Sequence, residues 1–158
     1  PIGNPTTPEI VYGFGPSFHY KGFDFSFFFQ GIAKTALFMS GLQPFGTTMD
    51  NKNVQTFIAE DHWSPDNQNI FAKYPRLTIE RSANNATTST YWERDGAFLK
   101  LKNAEIGYTF KSMRFYLRGS NLLTFSKFKL WDPEQGGGNG LKYPTQRVFN
   151  IGFQMTIK

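Results

Sequence analysis

Three tryptophans, Trp63, Trp92 and Trp131, are the side chains best suited to grip a ligand. An indole ring matches the apolar face of a sugar. Such rings also anchor loops and populate the aromatic girdles of membrane barrels, and that structural role is the first expectation for all three. Asp132 and Glu134 bracket Pro133. Two neighbouring carboxylates are the raw material of acid–base chemistry on a glycosidic bond, but the intervening proline points to a loop-structuring role. Asp61, Asp66 and Asn67 offer oxygen ligands without the spacing of a calcium loop. His19 and His62 are the only histidines, one expected in a strand and one in a loop, and that pair alone makes no zinc site. Arg114 and Arg118 share one parity of a strand, where pairing with carboxylates is the default and steering of an anionic substrate the alternative. Gly136-Gly137-Gly138 lacks the lysine and helix of a phosphate loop and reads as a flexible loop tip. No nucleophile–base constellation appears, so the residues do not describe an enzyme, and no cofactor or metal is expected.

The elements that must position these residues are strands. The chain has 158 residues, 18 of them phenylalanine, and no cysteine, which excludes disulfides and thiol metal sites. Aromatics make up 18% of the sequence, yet mean hydropathy is −0.42. That balance fits aromatic residues alternating with polar ones along membrane strands. The formal charge of +5 comes from dispersed lysines and arginines with no recognition motif. Nucleic acid is therefore not the expected partner; anionic lipid or lipopolysaccharide head groups are.

Period-two alternation dominates. Ile10, Tyr12, Phe14, Phe18 and Tyr20 share one parity, with Pro16 as a blemish that removes a ladder donor. Lys21-Gly22 makes a tight turn into Phe23, Phe25, Phe27 and Phe29, whose opposite face holds Asp24, Ser26, Phe28 and Gln30. Alternation then fades from Gly31 to Gly96, a stretch marked by Gly41, Pro44, Gly46, Pro65 and Pro75, with a short helix around Asn53–Glu60. A third strand starts near Phe98. Its phase changes near Lys102-Asn103, which predicts a bulge. Lys111-Ser112 turns into a fourth strand from Met113 to about Asn121. A second loop spans Leu122 to Gln146. The last strand alternates Phe149, Ile151, Phe153, Met155 and Ile157 with polar or small residues.

Tight turns thus alternate with long loops, the pattern of outer-membrane barrels with short periplasmic turns and long extracellular loops. Strands of about 9 to 12 residues suit a tilted crossing of a bilayer. Five strands close no usable barrel, and an open edge in lipid leaves backbone groups unpaired, so further strands are expected. No signal peptide opens the chain, so for an envelope protein residues are expected before Pro1, and Pro1–Pro8 reads as a turn-rich connector.

Several blocks resemble the C-terminal region of SusC/RagA-type TonB-dependent transporters. They are Pro8-Glu9-Ile10-Val11-Tyr12-Gly13-Phe14-Gly15 with Tyr20-Lys21-Gly22-Phe23-Asp24, then His62-Trp63-Ser64-Pro65-Asp66-Asn67 and Tyr74-Pro75-Arg76-Leu77. Trp92 to Asn103 follows, similar to the family's Asp-Gly-Ser-Tyr-Leu-Arg-Leu-Lys-Asn block. Asn121-Leu122-Leu123-Thr124-Phe125 leads to Trp131-Asp132-Pro133-Glu134, and Tyr143-Pro144-Thr145-Gln146-Arg147 precedes the last strand. Six blocks in order cover nearly the whole chain. Lys158 departs from the aromatic residue on which such barrels commonly end.

The resemblance implies an all-β fold: a transmembrane antiparallel β-barrel of the class of roughly 22 strands with a plugged lumen. Residues 1–158 would supply about five strands of its C-terminal portion, with the plug domain and TonB box outside this chain. It implies an outer-membrane importer of oligosaccharides or peptides, capped by a SusD-like lipoprotein and energised by TonB–ExbB–ExbD. Arg114 and Arg118 would by default pair charges inside the barrel, with steering of an anionic substrate or contact with the plug as the alternative, and the Asn85-Ala86-Thr87 glycosylation acceptor would be coincidental in a bacterial protein. The alternative is a SusC-like barrel that serves as a scaffold in a surface complex.

Overall fold

The computed structural model describes residues 3–40, 54–78 and 82–157. Pro1, Gly41, Pro44, Gly46, Asn53 and Lys158 lie outside the described residues. The main body is one antiparallel sheet built from β1 (Ile10–Phe14), β2 (Ser17–Tyr20), β3 (Phe23–Ala33), β6 (Phe98–Phe110), β7 (Met113–Ser126) and β8 (Val148–Met155). β1 and β2 both pair with β3, and the order continues β3-β6-β7-β8. Two short strands inside the first loop, β4 (Ala36–Phe38) and β5 (Glu93–Asp95), form a separate ribbon.

The first strand expected over Ile10–Tyr20 is broken at Gly15-Pro16. Phe14 pairs with Phe29 and Ser17 with Ser26, so two residues on each side go unregistered and the register resumes unshifted. Proline lacks the donor the ladder needs, but its carbonyl still accepts from the Phe27 amide at 3.4 Å. The Lys21-Gly22 turn has φ 47 and φ 86, the doubly positive geometry of a type I′ hairpin, whose twist matches that of the strands. The helix expected near residues 53–60 is the single turn α1 (Thr56–Ala59), with Ile58 buried beneath it.

The bulge expected near Lys102-Asn103 is present. From β3, pairing skips from Asn103 to Leu101, opposite Phe28 and Phe29. From β7 it skips from Ser120 to Leu123, and Asn121 takes φ 54. An extra residue therefore enters at each step across the sheet. This explains a missed boundary: β7 runs to Ser126, not Asn121, because the irregularity at Asn121-Leu122 hides the continuing alternation of Leu123 and Phe125. The first loop likewise begins later, since β3 reaches Ala33, and the second begins at Lys127.

Register makes the two faces explicit. One row crosses the sheet as Tyr20, Phe23, Tyr108, Phe115 and Phe153, and the next as Phe18, Phe25, Ile106, Leu117 and Ile151. These side chains are exposed, Ile151 to 89%. Neighbouring rings touch across strands, with Phe23–Tyr108 centroids 4.5 Å apart and Phe115–Phe153 5.0 Å apart. Each such pair contributes roughly 0.2–1 kcal/mol. The opposite face carries Ser26, Glu105, Arg118 and Asn150 in one row. An apolar face open on a polar-backed sheet matches the lipid-facing wall of a membrane barrel. Both hairpin turns lie at one end of the sheet, and both loops at the other.

Candidate functional site

The polar face concentrates charge near the hairpin turns. Arg114 donates from Nε to Asp24 Oδ1 at 3.1 Å and from Nη2 to Glu105 Oε1 at 2.6 Å, with a further bond from Nη2 to Asp24 Oδ2. Its guanidinium lies 5.0 Å from the Tyr116 ring centroid. Gly107 makes room for this cluster, since a Cβ there would lie 2.6 Å from an Asp24 carboxylate oxygen. Arg114 is thus a structural ion-pair hub across β3, β6 and β7. Arg118 differs. Its register neighbours are Glu105 and Asn150, and among the described residues its side chain makes no ion pair or hydrogen bond. It lines a recess of about 320 Å³ with Ser26, Phe28 and Asn103.

At the other end the two loops form one assembly. Lys100, on the polar parity of β6, is 1% exposed. Its Nζ lies 2.5 Å from Asp132 Oδ2 and 2.6 Å from Glu134 Oε2, while Lys102 pairs with the other Glu134 oxygen. Asp132 also caps the single 3-10 turn Pro133–Gln135 by accepting from the Glu134 amide at 3.1 Å. Burial alone would push both carboxyls up, but the bonds from Lys100, and for Glu134 also Lys102, hold them below their ordinary values of 3.8 and 4.5. Paired this way, the two carboxylates have no free proton to move. They clamp the second loop to the barrel wall, the loop-structuring role expected for them.

Trp92 and Trp131 meet in this assembly. Trp92, 6% exposed, packs with Leu37, Met39 and Phe128, and Trp131 lies against that cluster. Trp92 Nε1 donates to the Asn85 carbonyl at 2.9 Å and Trp131 Nε1 to the Gly136 carbonyl at 3.0 Å. Phe128 and Trp131 meet edge to face at 4.6 Å. Both indoles are therefore loop anchors. Trp63 lies elsewhere. Its amide donates to the Tyr74 carbonyl at 2.9 Å, closing a loop in which Ser64 and Asn67 exchange backbone bonds at 3.1 Å. His62 Nδ1 donates to the Ala59 carbonyl at 2.7 Å. Asp61 pairs with Lys73 at 3.2 Å, whose hydrogen bonds lower its carboxyl.

The glycine cluster corrects an expectation. Gly136-Gly137-Gly138 is not a flexible tip but a seam. Gly138 donates to the Phe38 carbonyl and accepts from the Ser40 amide, both at 2.9 Å. A Cβ on Gly137 would stand 2.6 Å from the Phe38 carbonyl oxygen, and Gly138 has φ 120. Gly137 has no room for a Cβ where the second loop's backbone lies against β4, while Gly136 and Gly138 have space but take positive φ values of 77 and 120 that favour glycine.

Between the loops lies a cleft of about 430 Å³. Phe57, Tyr74, Phe128 and Leu130 give it an apolar floor, and Lys73, Arg94, Lys127 and Lys129 outnumber Asp61 and Asp95 on its rim. It suits a ligand with an apolar part beside an acidic group. The loops also present bare apolar side chains: Ile70, Phe71, Leu141 and Tyr143. Sequence reasoning missed Lys100, Asp24 and Glu105 as organising residues. The signal available was parity, for each carries charge at a position whose strand neighbours are apolar.

No family model matches the chain. Among curated proteins it is similar to two from Formosa agariphila. It is 31% identical over 177 residues to TonB-dependent receptor P3, covering 98% of this chain and 17% of that protein. It is 29% identical over 184 residues to TonB-dependent receptor P26, covering 99% and 18%. The chain spans under a fifth of the length of these relatives. Among solved structures, the RagAB peptide transporter superposes with a TM-score of 0.77 at 24% identity, over 98% of this chain and 18% of that one. The RagAB peptide importer in its open-open state gives 0.74 at 23% identity, over 96% and 17%. At these identities the likeness carries the fold, an antiparallel barrel segment.

Proposed function

From a chain that is a C-terminal segment of a SusC/RagA-type TonB-dependent receptor, we propose an outer-membrane nutrient importer in which residues 1–158 supply barrel wall and extracellular loops. The observation that carries this is the division of the molecule. An apolar face suited to lipid backs a charged face suited to a lumen, and every long loop gathers at one end. The substrate is an oligosaccharide or a peptide. Likeness to the RagAB peptide transporter favours a peptide, as does the mixed apolar and cationic cleft between the loops. The plug domain and the TonB box, through which TonB–ExbB–ExbD drives import, belong to the rest of the receptor.

A SusD-like lipoprotein caps the barrel through the loop rim. Ile70 and Phe71 are more than 80% exposed on a segment that the loop core holds outward, and a water-facing apolar pair at a loop end fits a docking contact. Trp63, Trp92, Trp131, Arg114 and Arg118 serve this function chiefly by position: the tryptophans shape the rim, Arg114 orders the polar face, and Arg118 presents an unpaired cation on it. The test is co-purification of the lipoprotein with full-length receptor carrying Ile70→Ser and Phe71→Ser, together with growth on peptides or glycans as sole nutrient. Lid association is expected to weaken while the barrel still assembles. Undiminished lid binding and uptake would remove this rim from the lid contact. Failure of the unaltered receptor to support uptake of either nutrient class would favour the scaffold role.

A further inference from the structure

The two hairpin turns carry lysine where glycine or asparagine would be less strained. Lys21 has φ 47 and Lys111 φ 54, left-handed conformations that a Cβ disfavours. Both side chains are exposed, so packing does not explain them. Each ammonium instead leans over an aromatic ring of the outward face: Lys21 Nζ lies 5.2 Å from the Tyr20 centroid and Lys111 Nζ 5.3 Å from that of Phe110. The turns are neighbours, for the Gly22 carbonyl accepts from the Thr109 amide at 2.7 Å. Both cations therefore border the aromatic row of Tyr20, Phe23, Tyr108, Phe115 and Phe153.

Carboxylates hold several cations at the loop end, although Lys129 and Arg147 there have no carboxylate partner among the described residues. At the loop end Lys34 pairs with Glu9 and Lys127 with Asp95, both at 3.5 Å, and Lys100 and Lys102 with Asp132 and Glu134. Among the described residues Lys21 and Lys111 have no carboxylate partner, and Asp24, the acidic residue near the first turn, is held by Arg114 on the opposite face. Two cations with no carboxylate partner, placed beside an outward aromatic row, are positioned to attract an anionic head group at a membrane boundary.

We propose that Lys21 and Lys111 form a phosphate-binding pair for an anionic phospholipid of the periplasmic leaflet, fixing the depth of the turn end in the membrane. This rests on the membrane-wall reading, because short turns mark the periplasmic side; lipopolysaccharide would meet the loop end. The experiment uses the full-length receptor in detergent, titrated with phosphatidylglycerol or phosphatidylcholine and read by native mass spectrometry. The unaltered receptor is expected to retain phosphatidylglycerol preferentially. Lys21→Gly with Lys111→Gly relieves the left-handed strain while removing both cations, so the barrel folds. The preference should fall by roughly fivefold per lysine and survive Lys34→Gln with Lys127→Gln. Equal retention of both lipids by the unaltered receptor, or an undiminished preference in the double glycine variant, would overturn the proposal. A receptor that fails to sediment with outer membranes at all overturns the wall reading instead.

Discussion

The strands and the loop assembly obey opposite burial rules within one short chain. Along the wall the large apolar side chains point outward and stay exposed, as Phe115, Leu117 and Ile151 do, while charge collects on the inner face around Arg114. In the loop assembly the order reverses. Trp92, Phe128 and Leu37 pack inward, and cations ring the rim of the cleft. On the proposed membrane reading hydrocarbon solvates one side of the wall, whereas the loops, outside it, hold a small soluble-type core. One ion-pair clamp, buried Lys100 with Asp132 and Glu134, joins the two regimes at the loop end of β6.

Each prediction applies to the full-length receptor and strains one side of that contrast. Trp92→Ala removes the ring at the centre of the loop core. It should cost the loop assembly about 3–5 kcal/mol, seen as rapid proteolysis of residues 54–95 with barrel mobility in cold gel electrophoresis unchanged. Loss of the folded barrel band would mean that the loop core and wall fold as one unit. On the wall, Leu117→Arg places a cation among Phe25, Ile106 and Ile151. Destabilisation of about 2–4 kcal/mol in urea unfolding from vesicles is expected, against a change within about 0.5 kcal/mol for Asn150→Glu on the polar face, where the new carboxylate stands opposite Arg118. Equal costs at the two sites would contradict the assignment of faces.

Smaller effects probe the seam and the clamp. Gly137→Ala forces a Cβ against the Phe38 carbonyl oxygen and should cost about 1–3 kcal/mol, measured as faster amide exchange at Phe38–Ser40. Unchanged exchange would return the glycine cluster to a flexible tip. The clamp responds to acid. Asp132 and Glu134 have folded values depressed below 3.8 and 4.5, so their stabilisation is fully present above those values. It is lost as pH falls through the depressed ones. Tryptophan fluorescence should show a loop transition in that acid range, and Lys100→Met should loosen the loop already at neutral pH and flatten the acid transition, because burial alone raises the carboxyl values and acid then no longer costs the loop stability. A transition indifferent to Lys100 would leave the clamp without a role in holding the loop.

Much of the wall was legible because its information is local. The Lys21-Gly22 turn, the bulge at Lys102 and the outward aromatic parity each follow from residues within a few positions. Misreadings arose where one irregularity masked another element. Pro16 split a strand that keeps its register, and Asn121-Leu122 concealed the end of β7. The site was less legible. Trp63, Trp92 and Trp131 look alike in sequence, yet two share a core and the third closes a separate turn. Arg114 and Arg118 share a parity, yet only Arg114 is placed to reach Asp24 and Glu105 together.

By itself the sequence determined a strand-built wall with a lipid face, a polar face and loops at one end. Alternation with period two puts the aromatic and the polar side chains on opposite faces, and long strands joined by unequal loops favour a membrane wall over a soluble sandwich. The tertiary structure alone decided that Lys100 reaches residues 32 and 34 positions away, and that Gly137 and Gly138 lie against β4. It also decided which tryptophans meet. Those contacts join segments with no shared periodicity, and only the closure of long loops, with its entropy cost offset by burial of Trp92 and its neighbours, brings them together.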